Sequence, residues 1–313
     1  MATKPTRKQR RRASSKVQKV QAKPTSSENA SAPLTPLSPA PALFKMSLTF
    51  LWQHKKLFGG LMLIYALLQL VFVQGVLKTD FSAFNDMIKE SFDGSSSVAV
   101  GLLSFSYLIG TTGQTGSAQA STYQFIFLML STLAFIWALR HVLAKEQVRL
   151  RDAYYKGMYP LIPFLLVLFV IGLQLLPFLI GGWLYNVVVS NGIAATGLEQ
   201  ILWLGVFITG AVVSTYFLLS SLFAMYIVTL PDMAPLKALK SARGLVRGRR
   251  FLVLRKMLFL GGASLLIVAA IMLPIILALP AIAPWVFYVL SIIGIGLIHT
   301  YMYSLYRELI GNG

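Results

Sequence analysis

The sequence has no cysteine at all. That removes disulfides, thiolate zinc sites, iron–sulfur ligation and cysteine nucleophiles from consideration together. Acids are scarce too, with ten Asp and Glu in 313 residues, and there are only three histidines. General acid–base chemistry needs a titratable group held beside its substrate, and few groups are present to do it. Charged residues make up 12% of the chain, where a soluble domain of this size carries about 25%. What is abundant is apolar: 56% of residues are hydrophobic and the mean hydropathy is +0.70. A soluble core cannot hide that excess, and a bilayer can. The expected class is therefore an all-α, polytopic transmembrane helical bundle.

Six apolar runs carry this expectation: 57–77, 122–139, 159–182, 201–228, 257–279 and 282–306. Each approaches or exceeds the roughly 20 residues that cross about 30 Å of hydrocarbon. None contains Asp, Glu, Lys or Arg. The fifth and sixth are separated by Pro280 and Ala281, which predicts a tight hairpin. Pro163, Pro177 and Pro274 are expected to kink their helices. The net charge of +18 has a simple layout along such a chain. All of the 28 Lys and Arg except Lys78 and Lys89 fall in segments that alternate to one side. The bias predicts a multi-pass protein of the cell (plasma) membrane, with N-terminus and C-terminus both cytoplasmic.

Residues 1–41 hold nine Lys or Arg and one acid, Glu28, and lack any face that could bury area. They read as a disordered basic tail and linker, with residues 42–313 forming the six-helix transmembrane domain. The tail could set topology alone, or Arg7, Lys8, Arg10, Arg11 and Arg12 could hold anionic lipid headgroups, or these cations could touch nucleic-acid phosphates. The arm has no aromatic residue to stack on bases, which argues against specific nucleic-acid readout. Arg247, Arg249 and Arg250, before the fifth span, are the second candidate contact for anionic lipid or phosphate.

Residues 42–56 read as an interfacial amphipathic helix with Leu43, Met46, Phe50 and Leu51 on one face. Similar basic stretches lead into spans at VRLRDAYYKGMYPLIP and LKALKSARGLVRGRRFLVL, with basic pivots Lys56, Lys156 and Arg250 about a hundred residues apart. Three units of one interfacial helix plus one transmembrane hairpin are the pattern to expect. Between the first two spans lies a long outer loop, 78–121. Its Asp86, Glu90 and Asp93 share a helical stripe, better read as a solvated face than as a cation site.

Inside the spans, Gln174, Ser220 and His299 form a candidate intramembrane polar site. An ionisable residue within a span is a functional candidate by default, yet His299 has no carboxylate partner in sequence. A hydrogen bond between helices is the plainer role for it, and for the other uncharged polar residues of the spans. Catalytic templates are missing: no Walker lysine motif, no GxSxG and no HExxH occurs. No cofactor, metal site or catalytic residue is expected.

The segment from Ile227 to Leu258 carries Pro231, Pro235, Ala238, Leu239, Ala242 and the Gly248-Arg249-Arg250 bend. In this pattern a helix ends, a proline turn follows, and an amphipathic helix leads through a basic bend into the next span. It resembles the membrane-domain family associated with glycerophosphodiester phosphodiesterases and related six-helix bacterial membrane proteins. The resemblance implies architecture only, because in that family the phosphodiesterase chemistry belongs to a separate barrel domain. The functional expectation is a structural or accessory membrane component with a basic cytoplasmic face. Its partners would be the lipid bilayer, anionic headgroups and other membrane proteins. A small-solute transporter or channel-like protein is the alternative.

Overall fold

In the computed structural model, residues 37–73 and 117–311 are described. The basic arm with Arg7 to Arg12, the stripe of Asp86, Glu90 and Asp93, and most of the long outer loop lie outside the described residues.

Among the described residues the regular secondary structure is all helical, and the elements follow the three-unit pattern. Helix α1 (Ala40–Gln53) starts on Pro39, with Pro41 in its first turn where a missing N–H costs nothing. It breaks at His54 and continues as α2 (Lys55–Phe72). Helix α3 (Ala118–Leu143) is capped by Ser117, whose hydroxyl accepts from the Ala120 N–H at 3.2 Å. The second unit comprises α4 (Leu150–Gly157), α5 (Leu161–Ser190) and α6 (Gly197–Ser221), with the one-turn α7 (Ala224–Ile227) behind it. The third comprises α8 (Pro235–Val246), α9 (Arg250–Ala278) and α10 (Ala283–Gly311), a short 3-10 turn at Pro280–Ile282 closing its hairpin.

Six helices are long and apolar enough to cross a membrane: Lys55–Phe72, Ala118–Leu143, Leu161–Ser190, Gly197–Ile227, Arg250–Ala278 and Pro280–Gly311. This is a multi-pass membrane protein. Most spans outrun the charge-free runs of the sequence, because helical hydrogen bonding continues past the hydrocarbon into the headgroup zone. The 30-residue α5 is about 45 Å long at 1.5 Å per residue. Its extra turns also absorb Pro163, which sits in the first turn, where no backbone bond is lost and no kink is needed. Pro177 and Pro274 lie inside α5 and α9 as expected.

Each short amphipathic helix seats on the hairpin of the preceding unit. Helix α4 packs on α3 and α2, α8 packs on α6 and α5, and α1 closes the circle by packing on α10 and α9. Helix α3 is the most enclosed of the spans, packed by α2, α4 and α10: every residue from Ser131 to Ile136 is buried. The face of α1 differs from the expected one. Leu43, Ser47 and Leu51, spaced by fours, are buried against the bundle, while Met46 is 52% exposed. An interfacial helix has an apolar partner on both sides, so its hydropathy pattern alone does not say which flank meets protein.

Small residues set the closest approaches. A Cβ on Gly210 of α6 would fall 2.5 Å from the Pro177 carbonyl oxygen of α5. One turn away, Ser214 Oγ accepts from the Phe178 N–H at 3.1 Å. A proline-loosened backbone thus finds its hydrogen bond on the neighbouring helix.

Candidate functional site

Every described lysine and arginine lies at the end of the bundle built by α1, α4 and α8, and among the described residues the far end carries one charged side chain, Glu199. That glutamate is occupied in a capping box with Thr196. Among the described residues, charge is therefore concentrated on one face, which has a structural part and an open part.

The structural part centres on Arg140 in the last turn of α3. Its Nη1 donates to the Thr229 carbonyl at 2.8 Å and its Nη2 to the Thr229 hydroxyl, just beyond α7. The guanidinium also reaches the Tyr303 side chain on α10. Tyr226, Tyr303 and Tyr306 form a triangle with every pair of ring centres 5.8 Å apart. One cation thereby ties the exits of all three hairpins. Deeper by two turns of α9, Lys256 Nζ lies 3.0 Å from Glu308 Oε2, with the lysine 3% and the glutamate 17% exposed. The Tyr301 hydroxyl donates to the Lys256 carbonyl at 3.1 Å. On α4, burial pushes the Tyr154 phenol above its ordinary value, keeping it a neutral donor toward the Leu61 carbonyl at 3.4 Å.

In the open part, three hollows lie among the described residues. A cleft of about 990 Å³ runs between α3, the α4–α5 corner and residues 228–234. Arg140, His141 and Lys156 line it, together with Asp232 and the aromatic Trp137, Tyr155 and Tyr159. The His141 ring stacks on Trp137 at 3.9 Å, and Glu146 stands 3.8 Å from its Nε2. A second hollow, at the α1–α2 break, holds Lys55, Lys56 and Lys145 with Glu146. The third, of about 530 Å³, is lined by Tyr216, Lys240, Arg243, Gly244, Arg247, Gly248 and Arg250. It contains no carboxylate, and the Arg250 guanidinium rests 3.9 Å from the centre of the Tyr216 ring.

Of the residues singled out from sequence, Arg247 and Arg250 meet in that third hollow, while Arg249 does not line it. Lys240 and Arg243 complete it; their spacing of seven and four residues to Arg247 is a visible signal of a shared helix face. Gln174, Ser220 and His299 are not gathered into one site. His299 has both ring nitrogens engaged, one 2.7 Å from the Ile295 carbonyl and the other 3.0 Å from the Thr132 hydroxyl of α3. Gln174 and Ser220 belong to α5 and α6, and each keeps a buried side-chain oxygen without a partner among the described residues. The Lys256–Glu308 pair escaped the sequence reading because its members lie 52 residues apart at the ends of two spans. Among the described residues, no three His, Asp or Glu come close enough to hold a metal ion. No protein-family model, curated protein or solved structure matches the chain, so the likeness of residues 227–258 to the phosphodiesterase-associated membrane domain rests on its residues alone.

Proposed function

We propose that this chain is a non-enzymatic, structural or accessory component of the plasma membrane whose basic face engages anionic lipid headgroups. Both termini and the α1–α4–α8 layer are on the cytoplasmic side in this reading. The observation that carries it is the placement of every described Lys and Arg at one end of six spans. Basic residues at a membrane surface are retained on the cytoplasmic side, and each attracts an anionic leaflet by about 1 kcal/mol. A solute path through the bundle has less support, since His299 is already satisfied by Ile295 and Thr132.

The absence of cysteine makes the orientation simple to test. With single cysteines at Lys145 or Asn191, a membrane-impermeant maleimide on intact cells should label Asn191→Cys and spare Lys145→Cys until lysis. The reverse pattern overturns the orientation. The lipid part is read from thermal melting of the purified protein in nanodiscs: phosphatidylglycerol should raise the midpoint over phosphatidylcholine, and equal midpoints would refute it.

A further inference from the structure

The three hollows of the basic face differ in one respect that bears on a ligand. The cleft beside Arg140 contains Asp232, and the hollow at the α1–α2 break contains Glu146. The hollow between α6, α8 and α9 gathers Lys240, Arg243, Arg247 and Arg250 with no acid among its lining residues. None of these four cations belongs to an ion pair among the described residues. Like charges gathered on one surface repel, and a bound anion would relieve that repulsion.

The backbone that carries the cluster is anchored by packing, while the Lys240, Arg243 and Arg247 side chains are exposed. Helix α8 buries Ala238, Leu239, Ala242 and Val246 on its opposite face, which fixes the direction of Lys240 and Arg243. Arg250 is pinned over Tyr216, and its Nε is buried without a hydrogen-bond partner. Gly248, at a φ of +79°, turns the chain between α8 and α9. Added Cβ atoms at Gly244 and Gly248 would meet nothing within 4 Å, so the hollow is open beside the backbone. The first turn of α9 has neither an acid nor a side-chain cap, which adds positive potential at the same place.

The surroundings separate a lipid from a free ion. On the membrane side of Tyr216, Val212 is 63% exposed and Val213 is exposed as well, and Phe251 beside the cations is 81% exposed. An apolar strip leading to a cationic hollow suits a molecule with chains and a phosphate.

We propose that Lys240, Arg243, Arg247 and Arg250, with Tyr216, form a headgroup site for a phospholipid bearing a doubly charged phosphate, its acyl chains lying along the exposed face of α6. Four converging cations, three of them arginines suited to bidentate phosphate contacts, exceed what one singly charged phosphodiester can neutralise. The proposal rests on the reading that this face meets an anionic leaflet.

The test uses the full chain in detergent, titrated with dioctanoyl phosphatidic acid, phosphatidylglycerol or phosphatidylcholine and followed by native mass spectrometry. Phosphatidic acid should bind about tenfold more tightly than phosphatidylglycerol. The triple variant K240Q/R243Q/R247Q should lose at least about tenfold in affinity for it, and R243Q alone about fivefold. A control of equal net charge, K55Q/K56Q/K145Q, should lose less than about threefold. Melting curves verify that each variant is folded, and the single R243Q keeps the test valid if the triple is not. Equal losses in the two triple variants would mean diffuse attraction, overturning the site while leaving the anionic-lipid reading intact. Equal affinity for phosphatidic acid and phosphatidylglycerol would overturn the charge class. Displacement by inorganic phosphate at equal concentration would make this an ion hollow and not a lipid site. Indifference to all three lipids would refute both the site and the reading beneath it.

Discussion

At the basic end of the bundle one continuous core joins all three units, from Leu43 and Phe58 through Phe135, Phe164 and Phe223 to Val253, Tyr301 and Leu309. At the far end, the separate buried cluster is Ala269, Met272, Ile276, Ala283 and Phe287, confined to the single hairpin α9–α10. The difference has a physical cause. Lipid tails are as apolar as leucine, so no hydrophobic force draws bare helices together, and far-end pairs meet through small residues and backbone contact. At the basic end, α1, α4 and α8 lie across neighbouring hairpins and bring buried charges and hydroxyls with them. The units are joined chiefly where they meet water; farther in the ties between hairpins are sparser, such as the Tyr288 hydroxyl of α10 donating to the Ala66 carbonyl of α2 and His299 of α10 meeting Thr132 of α3.

Substitutions at the two ends can break or sharpen this contrast. The largest effect is expected at Lys256→Met, which leaves the Glu308 carboxylate without its 3.0 Å partner. Removing one member of a buried pair should cost about 3 kcal/mol in SDS-titration unfolding, and K256M/E308L should recover most of it. If the double variant is as unstable as the single one, charge pairing is not what joins α9 to α10. Next is Arg140→Met, which strips two hydrogen bonds from Thr229 and should cost about 2 kcal/mol. Because Arg140 joins different hairpins, limited proteolysis should open the 228–234 segment in that variant. At mid-span, Gly210→Val forces a side chain into the Pro177 carbonyl and should cost a similar or smaller amount, about 1–3 kcal/mol. Its hydrogen-exchange signature should stay within α5 and α6; spread to α9 and α10 would show that the hairpins are more strongly coupled than the packing suggests. Thr132→Val removes the partner of His299 and is expected to cost only about 0.6 kcal/mol. A larger loss, or a change in any transport assay, would return His299 to the list of functional groups. The smallest effect belongs to Thr196→Ala, an exposed cap at the far end, at about 0.5 kcal/mol in the same unfolding measurement.

Much of the architecture was legible before any coordinates. The six spans follow from run length, since a bilayer demands about 20 apolar residues and accepts few charges among them. The three interfacial helices announced themselves through basic residues at helical spacing just before a span, around Lys56, Lys156 and Arg250. Span ends were less legible, because headgroups tolerate both the last charge-free turn and Lys55, Arg140 or Arg307 beyond it. The buried side of α1 is not legible at Met46 for a related reason: protein and lipid are equally apolar neighbours. Within the candidate site, Arg247 and Arg250 were visible as a basic bend, whereas Tyr216 was unreadable as their companion from 34 residues away.

The sequence by itself determined the number of crossings and the gathering of cations in the segments between them, because transfer into hydrocarbon is priced residue by residue along the chain. Only the tertiary structure decided which cations are satisfied and which are left open. Lys256 finds Glu308 and Arg140 finds Thr229 because three hairpins close on one another, while the same closure leaves Lys240, Arg243, Arg247 and Arg250 around a hollow with no acid. Pairing is a property of distance in space, and along this chain those distances are set by helices separated by 52 and 89 residues.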